Sequence, residues 1–380
     1  HRDLHSFPTR RSSDLVGAGL LPATAAELPA IAAALRQYQA AENEIRVARR
    51  APGIVEEAPG PQRLLVRGNL KNPGELVPQR YLTALDSRDY PDPGHARLRL
   101  AEEVASPRNP LTARVMVNRI WQSLFRKGLV RTVDNFGKLG EPPSHPELLD
   151  WLAQRFVDDG WSIKKTVRLL ALSDAYQSAT TASARARETD ADNRLLQHMN
   201  VRRLEAEEIR DAILAASGQL DATMFGKSID TYYAHDTGKT KGDKPKGPLD
   251  GAGRRSVYLE VRRNVTNPFL EVFDVPKPST TRGERDVTTV PAQSLALLNS
   301  EFVVDQSTKW AARLQGDPHS RIEEVFLRAL GRKPSSSERD QAMTYLSSLA
   351  GAHQAEVADA RVWRDFTHAV FNLKEFLYVR

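Results

Sequence analysis

Cysteine is absent from the 380 residues, which removes disulfides, thiolate metal sites, iron–sulfur clusters, covalent haem attachment and cysteine nucleophiles together. Long apolar runs are lacking too. No segment approaches the roughly 18 consecutive apolar residues that a bilayer-spanning helix needs, so no membrane span is expected. The sequence holds no GxxxxGK(S/T), no GxGxxG after a strand and no GxSxG, so phosphate-loop nucleotide binding and an α/β-hydrolase nucleophile have no support. HExxH is missing as well. His95, His198, His235, His319, His353 and His368 fall at no metal-ligand spacing, so neither a metal site nor a bound cofactor is expected here. Charge of one sign is in small excess, 54 Lys and Arg against 48 Asp and Glu, which permits a phosphate-tracking partner without requiring one.

What is present reads as globular. Hydrophobic residues at 40% and charged residues at 27% sit near globular averages, and the length suits one large domain with appendages or two smaller ones. The opening His1–Leu15 has no hydrophobic period and no signal-peptide layout. It back-translates to a sequencing-library adapter, so 1–15 reads as a non-native adapter-derived translation and the chain as a fragment beginning at Val16. His1 and His5 therefore leave any argument about ligands. Residues 16–50 carry Leu28, Ile31, Leu35, Tyr38 and Ile45 at helical spacing and read as the C-terminal helix of a truncated preceding helical domain. Residues 51–61, with Pro52, Gly53, Pro59, Gly60 and Pro61, are a linker, and 62–380 form the main domain.

The fold class expected for that domain is mainly α, a multi-helix globular unit with a small β element of short strands near 62–67 and 255–262. Asn109 and Pro110 open a helix through Phe125, with Leu111, Val115, Ile120, Leu124 and Phe125 as its core face. Ser144 and Glu147 are spaced as a capping box for the next helix, which Gly160 closes. Ser162 caps a third, 204–218 forms a fourth, Pro291 starts a long one through Ala311, and Ser335 with Glu338 opens a later one. Trp121, Trp151, Trp161 and Trp310 sit in helical contexts that suit core packing. Asn118 and Arg119 lie beside a buried face, where such groups satisfy backbone or a carboxylate. In 255–262, Val257, Leu259 and Val261 alternate with Ser256, Tyr258, Glu260 and Arg262, the period of a strand. Residues 221–253, rich in Lys, Gly and Asp, read as a mobile loop.

Several ordered phrases, among them LLVRGNLKNPGE, GKLGEPPSHPELLDWLA, MNVRRLEAEEIRDA, RRSVYLEVRRN, LEVFDVPKPSTTRGERDVTTVPAQSLALLNS and FNLKEFLYV, closely resemble the planctomycete-associated C-terminal domain of unknown function 1553. The resemblance runs from about Pro61 to Arg380. It implies a domain that follows a helical domain and a cytochrome-c-like module in large exported proteins. It implies also an extracytoplasmic location, periplasmic or cell-surface, and haem c only in an upstream part. No catalytic residues come with it.

The strongest chemical constellation is Arg254, Arg255, Tyr258, Arg262, Arg263 and Asn264. Guanidinium forks suit carboxylate, sulfate or phosphate, and a tyrosine between them can stack on a sugar ring. The same arginines can instead pair with Glu260, Glu271, Asp274 or Glu284 in a structural network. Arg282, Arg285, Asp286, Thr288 and Thr289 precede the helix at Pro291, a place suited to an anion or to ordinary capping. His145 beside Glu147 is the catalytic candidate, an acid or base without a visible partner. These residues point first to a binding or docking module recognising an acidic glycan or an acidic protein surface. The alternatives are a hydrolase or lyase acting on acidic polysaccharide, and a nucleic-acid binder through Lys239–Lys246.

Overall fold

The structure, a computed structural model, describes residues 60–91, 95–232, 247–263, 266–279 and 281–379, with a few positions between 33 and 41. The adapter-like segment, most of 16–50, the greater part of the 51–61 linker, Lys239–Lys246 and Asn264 lie outside the described residues. Of the helix expected in 16–50, the described positions Ala33, Ala34, Gln37, Ala40 and Ala41 are helical and exposed.

The chain divides into two compact units, 1–99 and 100–380. In the first, β1 (Gln62–Leu65) pairs antiparallel with β2 (Pro73–Val77), Gln62 opposite Val77 and Arg63 opposite Leu76. The expected strand near 62–67 thus stops at Leu65, where a 3-10 turn takes over. The Pro-Gly pair at 73–74, a turn signal in the sequence, enters the second strand instead. Both strands carry exposed apolar side chains, including Leu64 and Leu76. Helix α1 (Ala96–Val104) contains the division between the units.

The second unit is helical. Asn109 accepts a hydrogen bond from Leu111 N at 3.0 Å and Pro110 occupies the first turn of α2 (Pro110–Phe125), as its spacing predicts. α3 (Pro146–Asp158) and α4 (Ile163–Ala171) pack on it through Val117, Trp121, Phe125, Leu149, Leu152, Phe156 and Leu170, all buried. Leu111 and Val115 are not part of that buried face, because Ala113 and Val117 take the inner positions. Trp151 is exposed rather than packed, since Leu149, Leu152 and Phe156 set the inner face of α3 and leave it outward. The N-cap of α3 is His145 without a side-chain cap, so no Ser144–Glu147 box forms. Two short helices, α5 (Asp174–Gln177) and α6 (Ala184–Thr189), lead on to β3 (Arg202–Arg203).

A second, larger cluster is built around α7 (Ala206–Ser217), which a Glu205–Glu208 capping box opens and Gly218 ends in the left-handed conformation. After the 3-10 turns Gly251–Gly253 and Ser256–Tyr258 come α8 (Pro268–Val272), α9 (Pro291–Asn299) and α10 (Glu301–Ala311). α11 (Pro318–Leu330), α12 (Ser336–His353), α13 (Ala360–Phe371), α14 (Lys374–Leu377) and β4 (Tyr378–Val379) finish the chain. The helix expected from Pro291 to Ala311 is broken at Ser300, whose extended backbone separates α9 from α10. Ile209, Ile213, Val303, Trp310, Ile322, Val325, Leu346, Trp363 and Phe371 fill this core. Each such side chain contributes about 1.5–3 kcal/mol of burial. β4 pairs antiparallel with β3, which ties the end of the described chain to the entry of α7. With 14 helices and two two-stranded sheets among the described residues, the domain is mainly α with a small β element.

The 255–262 segment takes a different form from a regular strand. Its first part is the 3-10 turn, and β pairing is reduced to isolated bridges at Leu259, which meets Ile229, and at Arg262. Leu259 is buried while Val257 and Val261 are exposed, so the three apolar residues do not share a face. The turn reverses the period-two pattern that the sequence carries.

Candidate functional site

The arginine-rich segment is anchored from beneath by a residue of α7. Arg210, almost wholly buried, donates from Nη1 to the Arg254 carbonyl at 3.0 Å and to Ser256 Oγ at 3.0 Å, and from Nη2 to the Asp250 carbonyl at 2.6 Å. Burial lowers its pKa, against the opposing charges of Asp211 and Asp250. Asp211 Oδ1 completes the clip by accepting from Ser256 N at 2.8 Å and Ser256 Oγ at 2.7 Å. This gives the buried guanidinium the partners that a desolvated charge needs.

The candidate residues of the segment then separate. Arg254 stacks on Tyr258 at 4.2 Å, donates from Nη2 to the Phe225 carbonyl at 2.7 Å and lies 3.7 Å from Asp221. Arg262 pairs with Glu260 at 2.8 Å. Arg255 and Arg263 are exposed and make no ion pair with a described residue. Asn264 lies outside the described residues. Arg254, Tyr258 and Arg262 are therefore engaged by the chain itself, and Arg255 and Arg263 face solvent.

Arg285 and Thr288 lie on the 276–288 loop, between α8 and α9. Its base is closed by Asp274, in the left-handed conformation at φ 67. Asp274 accepts from Thr288 N at 2.9 Å, Thr288 Oγ1 at 2.8 Å and Arg203 Nη2 at 2.7 Å. Arg203, buried at β3, also reaches Gln293 Oε1 at 2.9 Å and the Thr288 carbonyl. Burial alone would raise the Asp274 pKa, but the hydrogen bonds from Arg203 and Thr288 outweigh it and hold the carboxyl below its ordinary value. Both donor groups of Thr288 are thus taken by Asp274, and the helix at Pro291 has Val290 as an N-cap with no side-chain bond. The loop's far end is fixed by Gly283 N, which donates to Asp134 Oδ2 at 2.8 Å. A Cβ at Gly283 would lie 2.2 Å from Asp134 Oδ1, so only glycine permits this approach.

Held this way, the loop forms one wall of a cleft of about 510 Å³, and the last turn of α2 forms the other. Arg126 ends α2 in the left-handed conformation, with its N–H on the Gln122 carbonyl at 2.7 Å. Arg126, Lys277, Arg282 and Arg285 line the cleft, together with Glu205 and Glu284. Arg285 is bound to Glu207 at 2.6 Å and to Glu205 at 3.1 Å. Burial lowers its pKa, but these carboxylates raise it further. Arg282 pairs with Asp286, and Arg126 lies 3.5 Å from Glu205. Lys277 is exposed and has no ion pair to a described residue. Four cations thus meet two carboxylates on the walls, because Glu207 and Asp286 pair from outside the lining. A second opening of about 340 Å³, on which Asp274 and Thr288 also lie, shares Lys277, Arg282 and Arg285.

His145 lines a separate recess of about 30 Å³ with Trp121, Asp192 and Asn200, and its Nδ1 is 3.0 Å from Ser144 Oγ. That recess is the size of about one water. Among the described residues no three His, Asp or Glu side chains gather as a metal site.

Arg126 and Lys277 were not legible as site residues. Lys277, between Pro276 and Pro278, carried the available signal, a cation on a stiffened loop. Arg126 reaches the cleft only through the packing of α2 against the rest of the unit.

No curated protein and no solved structure matches the chain. Residues 96–346, about two thirds of its length, match PSD1, a protein of unknown function (DUF1553), and the chain belongs to that family.

Proposed function

We propose that the chain is a binding module that takes an acidic glycan in the cleft between the end of α2 and the 276–288 loop. The observation that carries the reading is the convergence of Arg126, Lys277, Arg282 and Arg285 on one concave opening of about 510 Å³. This lies within the range of roughly 300–1,000 Å³ usual for small-ligand sites. Guanidinium and ammonium groups on a fixed loop suit the carboxylates or sulfates of a short acidic oligosaccharide. The same residues would also hold an acidic side chain of a protein partner, but a concave site favours a narrow ligand over a broad surface. By its family resemblance the module belongs to an exported protein, in which upstream helical and cytochrome-like domains are covalently linked to it.

A hydrolase or lyase acting on such a glycan would need His145 or a carboxylate facing the bound sugar; His145 lines the separate small recess, and the carboxylates on the cleft wall are Glu205, held by Arg285, and Glu284. The nucleic-acid reading rests on Lys239–Lys246, outside the described residues.

Calorimetric titration of a polyuronate oligosaccharide into the chain tests the proposal. Binding should weaken with salt, and Lys277→Ala and Arg282→Ala should each lower affinity by about tenfold to a hundredfold, as expected for a charge-assisted hydrogen bond of about 1.5–3 kcal/mol. Heats indistinguishable from dilution at low salt, or unchanged affinity in both variants, would reject it.

A further inference from the structure

Phe225 has a backbone that bulky residues avoid, φ 67, yet 75% of its surface is exposed. Trp161 shares that conformation at φ 59, but its ring packs edge-on against Phe156 at 5.3 Å, so burial compensates for the strain. Phe225 has no such compensation from its ring. It is held through its main chain: its N–H donates to Tyr258 Oη at 2.8 Å, and its carbonyl accepts from Arg254 Nη2 at 2.7 Å. The two side chains that hold it are stacked on each other. Local strain kept by surrounding bonds, with the side chain turned to solvent, marks a presented group.

The presented ring has company. Segment 221–231 runs beside 254–260, linked by the parallel bridges Asp221 to Arg254 and Ile229 to Leu259. On these neighbouring segments Met224, Val257 and Val261 are 61%, 71% and 76% exposed. Isolated exposed apolar residues are ordinary, but these four are carried on two segments that the bridges hold side by side. On the same stretch Arg255, Arg263 and Lys227 are exposed without an ion pair to a described residue, whereas the carboxylates there, Asp221, Asp230 and Glu260, lie beside Arg254 or Arg262. None of the four apolar side chains lines a cleft described above.

We propose that this surface docks on an anionic lipid bilayer, with Phe225, Met224, Val257 and Val261 entering the boundary between headgroups and acyl chains and Arg255, Arg263 and Lys227 meeting lipid phosphates. Exposed apolar side chains beside cations that form no ion pair with a described residue fit a partner that is deformable and negatively charged. A folded protein would have to offer a matching set of pockets. Arg254 and Tyr258 are the buttress of this surface.

The test is cosedimentation of the full chain with vesicles of phosphatidylcholine and phosphatidylglycerol at two to one, against vesicles of phosphatidylcholine alone. The chain should partition onto the anionic vesicles and be released by salt. Arg255→Glu with Arg263→Glu should weaken partitioning by about fivefold or more per residue. Phe225→Ser and the pair Val257→Ser with Val261→Ser should weaken it as well, with unfolding midpoints unchanged. Lys277→Ala should leave it unaltered. No partitioning, equal partitioning onto the neutral vesicles, or a loss caused by Lys277→Ala and not by Phe225→Ser would overturn the proposal. So would capture by polyglutamate while the vesicles leave the chain in solution, which would assign the patch to an acidic protein.

Discussion

Replacing Asp274 should have the largest effect of any single change at the cleft. Its carboxylate is the anion of a pair with Arg203 whose side chains are 14% and 6% exposed, and it closes the 276–288 loop through both donors of Thr288. Asp274→Ala leaves a buried guanidinium with Gln293 and the Thr288 carbonyl as its remaining partners. Breaking one side of a buried pair costs about 3–5 kcal/mol, and alanine in the left-handed conformation adds roughly 1 kcal/mol. Asp274→Asn tolerates that backbone and keeps an acceptor, so the loss should fall near 2 kcal/mol, the value of a charge-assisted bond. Urea unfolding followed by tryptophan fluorescence reads both, since Trp121, Trp310 and Trp363 are buried. A loss below about 1 kcal/mol in Asp274→Ala would refute the argument. The pH dependence is a second check. The folded carboxyl titrates below its ordinary value of 3.8, so its stabilisation is complete above that value. It is lost as pH falls through the lower folded pKa, and the gap between wild type and Asp274→Asn should narrow in acid.

Gly283→Ala should push Asp134 aside and release the loop from it, costing about 0.5–1.5 kcal/mol, the net value of one hydrogen bond, with weaker binding of polyuronate as the accompanying readout. Asn118, fully buried, bonds Val130 through both Nδ2 at 3.0 Å and Oδ1 at 2.9 Å; Asn118→Leu strands both backbone groups and should cost about 2–4 kcal/mol by chemical denaturation. Glu338 is held at about 2 by hydrogen bonds from Arg332 and Ser335. Its contribution to stability is therefore present above the ordinary 4.5 and lost as pH falls through about 2. Glu338→Gln should flatten that part of the acid limb of a melting-temperature profile, and an unchanged limb would remove the assignment.

The helices were largely legible because their signals are local. Asn109 with Pro110 before α2, Ser162 before α4 and Ser335 with Glu338 at α12 act within one turn, and the structure uses them as their spacing predicts. Asn118 satisfies backbone and Arg119 lies 3.7 Å from Asp134, the roles expected of polar groups beside a buried face. Local signals fail where long-range contacts compete. Ser144 bonds His145 instead of capping, Ser300 interrupts a run of good helix formers, and the alternation in 255–262 yields to a turn that Arg210 and Asp211 clamp at Ser256.

Sequence by itself determined the helical character, the family, the absence of thiol chemistry and the supply of arginines. Only the tertiary structure decided which arginines are spent internally and which are left outward. A guanidinium's pairing depends on carboxylates brought near by folding, as Arg285 meets Glu205 and Glu207 some 80 residues earlier. Chain order does not encode that distance, so Arg126 and Lys277 meet across the cleft, and Phe225 is turned outward, through packing alone.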